Sequence, residues 1–141
     1  MANIQIIHFK TIKGSSVSKD SGFLSFFESD LEVPFSIKRV YYIYGTKSGE
    51  KRGYHAHKNL KQVIFCPYGK VELYLEDEFG KSRIILDKPN VGVIIDHLVW
   101  REIKWIVNNS VLLVACSEHY SEDDYLRDYQ DFKRIIDKKK S

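Results

Sequence analysis

Short runs that alternate apolar and polar residues, broken by turn signals and almost free of helical periodicity, constrain this chain more than any other feature. "FSIKRVYYIYG" puts Phe35, Ile37, Arg39, Tyr41 and Ile43 on one face and Ser36, Lys38, Val40, Tyr42 and Tyr44 on the other. That period of two belongs to a half-buried strand. "KQVIFCPYGKVELYLEDEFGKSRIILD" reads as three strands separated by turns at "PYG" and "EFG", and "VGVIID", "VWREIKWIV" and "SVLLVACSEH" read as three more. "TKSGEKRG" reads as a polar loop, and "DSGFLSFFE" as a turn, with Gly22 free to take positive φ, followed by a strand. Strands that return about every 8–12 residues, with no helix between them, predict an antiparallel sandwich or barrel. No repeat or linker interrupts the pattern, and 141 residues suit a single domain over 1–141.

Only the end changes period. "SEDDYLRDYQDFKRIIDKKK" spaces Tyr125, Tyr129, Phe132 and Ile136 as one face of a helix, predicted over 121–138. Ser121 and Asp124 are placed as a capping box, with acids early and lysines late to suit the dipole. The aromatic stripe is expected to pack on the barrel or on a second subunit.

The balance of 22 basic and 19 acidic residues leaves +3, with no basic stripe before the tail, so nucleic acid is not an expected partner. No apolar run approaches the roughly 18 residues of a membrane span, and "MANIQIIHF" lacks the parts of a signal peptide. The expectation is a cytoplasmic domain. Cys66 in "VIFC" and Cys116 in "LLVAC" lie in apolar strand runs and are expected to be buried free thiols.

The chemistry concentrates in "KRGYHAHKNLKQV". On a strand, His55 and His57 point to the same side with Cα atoms roughly 6.5–7 Å apart. Two imidazoles so placed can hold a metal, move protons or simply pack. A metal site in such a barrel would continue with a carboxylate and a further histidine, but Lys61 and Arg101 stand at those places, and cations repel a divalent ion. What remains is a proton shuttle flanked by Arg52, Arg39 and Arg101, since imidazole exchanges protons near neutral pH and guanidinium forks suit phosphate, or else histidines that are simply surface strand residues beside a loop. His8 is expected to pack in the first strand, His97 to serve a turn and His119 to orient the helix. No Walker loop, Rossmann glycine set or Ser-His-Asp order is present.

Three phrases together, "PFSIKRVYYIYGTKSGEKRGYHAHKNLKQV", "LDKPNVGVIIDHLVWREI" and "SEHYSEDDYLRDYQDF", closely resemble the sugar-nucleotide 3,4-ketoisomerases, from about Gly22 to Phe132. The resemblance implies an all-β, cupin-like antiparallel barrel (jelly roll) with a C-terminal helix. It also implies no metal or cofactor, and a homodimer with exchanged N-terminal strands. The substrate implied is dTDP-4-keto-6-deoxyglucose, on routes to 3-amino-3,6-dideoxyhexoses of surface glycans such as O-antigen and S-layer. The family's paired histidines fall on His55 and His57 as acid and base. Tyr41 is a candidate to hydrogen-bond the sugar, Arg52 to hold pyrophosphate or an enediolate oxygen, and Arg39 and Arg101 to bind substrate. Many members have Trp-His-Glu where this chain has Trp100-Arg101-Glu102. Arginine here is similar to the members that give a gluco-configured product, while Ser21 matches neither the Arg nor the Tyr found at its place. Rival readings are a 3,5-epimerase on the same substrate, a metal-dependent cupin and a non-catalytic sugar-nucleotide-binding module.

Overall fold

The computed structural model describes residues 3–140; the first two residues and Ser141, the ends of the expected domain, lie outside them. The chain forms β1 (Ile4–His8), β2 (Lys10–Lys13), β3 (Phe23–Phe26), β4 (Arg39–Ile43), β5 (Lys51–His57) and β6 (Gln62–Tyr68). It continues through β7 (Val71–Asp77), β8 (Gly80–Leu86), β9 (Val91–Ile95), β10 (Trp100–Trp105), β11 (Val111–Cys116) and β12 (Tyr125–Leu126) to α1 (Tyr129–Lys140). One sheet runs β1-β9-β6-β11-β4, the other β12-β5-β10-β7-β8, and β2-β3 forms a separate ribbon. The pairs within these sheets are antiparallel. The expected cupin-like barrel with a C-terminal helix is therefore the fold observed.

The two large sheets bury their facing sides on each other. Ile64, Leu73, Leu86, Ile95, Trp105 and Leu112 form the heart of that core, each at most 2 % exposed. Full burial of one such aliphatic side chain is worth about 1.5–3 kcal/mol. Trp105 also satisfies its indole N–H on the Ser110 carbonyl at 2.8 Å, as a buried polar group must. Cys66 and Cys116 are buried and free, as expected. No helix of the described residues is long and apolar enough to cross a membrane.

The helix begins later than its periodicity predicts. Ser121 makes no side-chain cap; a short 3-10 turn covers Glu122–Asp124, and Tyr125–Leu126 pair with Ala56 and His57 as a strand. The true cap is Asp128, whose Oδ1 accepts the backbone N–H groups of Gln130 and Asp131 at 2.8 and 3.2 Å. A cap of this kind is worth about 1 kcal/mol. Asp124 is committed elsewhere: its Oδ1 accepts the Asn59 N–H at 2.8 Å, so it cannot cap a helix of its own. Phe132 and Ile136 are fully buried against Ala56, Trp100 and Leu126 on the outer side of the second sheet. Three of the four stripe residues thus pack as expected; Tyr125 does not.

Candidate active site

The site is built where β5 meets β10. Their register pairs Arg101 with His55 but Glu102 with Gly53, so Tyr54 is an extra residue, a β-bulge. Gly53 and Tyr54 both have positive φ, +99° and +61°. A Cβ on Gly53 would lie 2.8 Å from the Arg101 carbonyl oxygen, which is why glycine stands there. The bulge has a chemical consequence. Strict alternation would put Arg52 on the face opposite His55, but the extra residue pairs Arg52 with Ile103. Ile103 belongs to the inner core, so Arg52 and His55 open onto one cavity.

That cavity, of about 300 Å³, is lined by Arg39, Tyr41, Arg52, His55, Arg101 and Arg127, among others. A neighbouring cavity of similar size takes in His57, and both share Arg39, Tyr120 and Tyr125. The rings of His55 and His57 meet edge to face at 4.9 Å between centroids, and Tyr125 packs against both at 5.0 and 4.5 Å. All six residues expected from the sequence, His55, His57, Tyr41, Arg52, Arg39 and Arg101, therefore reach this one region.

Both imidazoles are neutral at physiological pH. Burial, then the Arg101 charge, pulls His55 down to about 4 and His57 down to about 2. His57 faces Asp124 through Nδ1 at 3.0 Å. The ordinary ion-pair reading would raise its pKa, but burial and the surrounding guanidinium groups outweigh the single carboxylate. Burial also raises the Tyr41 phenol, so it remains a hydrogen-bond donor.

Arg101 is buried, and its partners, the Gln62 side-chain oxygen and the Val99 carbonyl, carry no charge. Burial lowers its pKa to about 10, still leaving it cationic at neutral pH. Nε of Arg101, Nε of Arg39 and Nε2 of His57 are buried with no partner among the described residues. Leaving such atoms unsatisfied costs about 1–3 kcal/mol each, more for charged groups, and a ligand that meets them recovers this. Among the described residues, no three His, Cys, Asp or Glu side chains are grouped to hold a metal ion.

The sequence missed Tyr125, Arg127 and Asp124. Arg127 lies over the Tyr125 ring at 4.2 Å and is held by Glu122 at 2.7 and 3.0 Å. The helical spacing around Tyr125 concealed them; the dense charge of "SEDDYLRD" directly before the stripe was the one signal available. The remaining histidines differ from expectation in one case. His8 is exposed on β1 rather than packed, because the apolar partner of its neighbourhood is Phe9, which turns into a second core. His97 does serve a turn, its Nδ1 2.7 Å from Asp96 Oδ1. His119 is exposed and lines the His57 cavity.

Residues 2–137 match the family model described as FdtA: WxcM-like, C-terminal. A TDP-4-oxo-6-deoxy-α-D-glucose-3,4-oxoisomerase of Aneurinibacillus thermoaerophilus is 42% identical over 134 residues, 95% of this chain and 93% of that one. The solved sugar 3,4-ketoisomerase QdtA of Thermoanaerobacterium thermosaccharolyticum, in complex with TDP, is 39% identical. It superposes with a TM-score of 0.89 over 97% of this chain and 96% of its own. The WlaRB TDP-quinovose 3,4-ketoisomerase of Campylobacter jejuni is 37% identical, with a TM-score of 0.87 over 95% and 99%. With the histidine pair, the bulge and the arginines in place, this chain belongs to the FdtA family of sugar-nucleotide 3,4-ketoisomerases.

Proposed function

We propose that the chain converts dTDP-4-keto-6-deoxyglucose to a dTDP-3-keto-6-deoxyhexose, with His55 and His57 as the proton carriers. The observation that carries this is the pair of neutral imidazoles opening onto cavities that share Arg39, beside an uncompensated buried guanidinium. The C4 ketone acidifies the C3 proton. A neutral imidazole takes that proton, and its electron pair forms the C3=C4 bond, leaving an enediolate with its charge on O4. The imidazolium so formed, its proton exchangeable with solvent, then delivers a proton to C4 while the second imidazole passes the O3 proton to O4, so the ketone ends at C3. Two protons move, and two neutral imidazoles suit that count. Arg101 and Arg39 bring unused N–H groups to the developing oxyanion. Tyr41 hydrogen-bonds the sugar, and Arg52, exposed at the mouth, suits the pyrophosphate. Arg127 is placed beside it for the same role.

The test is one incubation in D₂O with dTDP-4-keto-6-deoxyglucose and chelator, followed by NMR. The expected product carries its ketone at C3 and deuterium at C4. With Arg101 in place of histidine, the expected C4 configuration is gluco. Deuterium at C3 and C5 with the ketone still at C4 would mean a 3,5-epimerase, and unchanged substrate a binding module; either overturns the proposal.

A homodimer with exchanged N-terminal strands belongs to the same reading. The β2-β3 ribbon leaves Ile12, Phe23 and Leu24 55, 73 and 57 % exposed. Beneath it lies an apolar groove of about 670 Å³ lined by Phe9, Phe23, Phe27 and Phe65. Exchange keeps the antiparallel pairing of β1 with β9 but makes it between chains. Light scattering on the eluted protein is expected to give twice the chain mass, and Phe23→Glu to shift it towards one; a monomeric wild type would refute the exchange.

A further inference from the structure

We propose that Asp124 is a positioning residue that fixes the tautomer of His57, holding the ring proton on Nδ1 and leaving the Nε2 lone pair free for the reaction. The role rests on the ketoisomerase reading of the site, yet its geometry is independent of it. Asp124 Oδ2 lies 3.0 Å from His57 Nδ1. An ionised carboxylate only accepts, so the nitrogen that faces it must donate. In a neutral imidazole the other nitrogen then carries the lone pair, and His57 Nε2 is buried with no partner among the described residues.

Asp124 is itself rigidly held. Its Oδ1 accepts the Asn59 N–H at 2.8 Å, its Oδ2 accepts the Leu60 N–H at 3.3 Å, and its carbonyl accepts the Lys58 N–H at 2.9 Å. These donors lie just after His57 on the chain, so carboxylate and imidazole are fixed to the same piece of backbone. The residue reaches this place only because Glu122–Asp124 forms a 3-10 turn and Tyr125–Leu126 joins β5. The segment that breaks the expected helix is the one that delivers the carboxylate.

Asp124→Asn tests this with little change of shape. The amide oxygen is drawn to the Asn59 N–H, which accepts no NH₂ in its place, so the NH₂ group is left facing Nδ1. An NH₂ donor requires a lone pair there, and the proton moves to Nε2. Two-bond ¹H–¹⁵N spectra of the free protein read the tautomer directly. The expected result is Nδ1–H in the wild type and Nε2–H in Asp124→Asn, with kcat down roughly 100-fold or more and KM changed far less. The exposed neighbour substitution Asp123→Asn is expected to alter neither. Wild-type His57 protonated on Nε2 would overturn the proposal. So would an unchanged tautomer in Asp124→Asn, whatever its activity, or an unchanged kcat with the tautomer inverted. If the wild type left every keto sugar untouched, the reading of the reaction would fail while the spectra still decided the tautomer.

Discussion

His55→Asn and His57→Asn will each lower kcat by about 10²–10⁴-fold while leaving TDP binding largely intact. Asparagine keeps a polar side chain of similar reach but has no titratable nitrogen, so it can hold a substrate and cannot carry a proton. TDP binding measured by calorimetry beside the D₂O assay separates the two functions. A variant that still places deuterium at C4 at the wild-type rate would remove that histidine from the mechanism. The pH dependence is equally specific. With His55 held down to about 4 and His57 to about 2, kcat/KM should lack the limb near 6.5 of an ordinary imidazole. The substrate's negative charge offsets the guanidinium groups that depress both rings, so the acid limb of kcat should lie at higher pH than that of kcat/KM. Stability follows with a fixed sign. Unfolded, each ring binds a proton at about 6.5; folded, it resists protonation down to about 4 or 2. The unfolded chain therefore binds more protons as pH falls below about 6.5, and folding stability declines through that window. His57→Asn should flatten part of that decline in a series of thermal melts.

These residues also show how far the sequence could be read. The alternation of β4 put Arg39, Tyr41 and Ile43 on one face, and that face is the less exposed one and lines the cavity, because a strand whose sheet packs on another buries one side only. The same rule groups Arg101 with Val99 and Ile103 on one face, and all three are buried. It could not place Arg52, which strict alternation sends to the wrong face, nor Tyr125, whose spacing is helical. Both depend on the partner strand: Arg52 on the register with β10, Tyr125 on pairing with His57. Periodicity records which face of an element is apolar. It carries no record of where a partner imposes an extra residue, or where a two-residue strand outcompetes the first turn of a helix.

Gly53→Ala should cost this protein more than any other single methyl group near the site. The backbone at φ +99° strains any L side chain, by about 1–2 kcal/mol, and a further cost of about 1–3 kcal/mol comes from forcing a methyl against packed structure. The obstacle is the Arg101 carbonyl at 2.8 Å, main chain that can move only if β10 moves. Gly49→Ala is the matched control: its φ is +92°, but nothing lies within 4 Å of the new Cβ, so it meets the backbone term alone. Thermal unfolding should therefore separate the two, with Gly53→Ala the less stable by the steric part. Equal losses would mean that the bulge yields freely and does not fix the site. The functional consequence runs through register. If β5 relieves the clash by losing the bulge, one residue drops out of the pairing, and Arg52 turns to the face away from His55. Activity lost beyond what unfolding explains, with TDP affinity falling alongside it, would be the mark of an arginine moved out of the mouth.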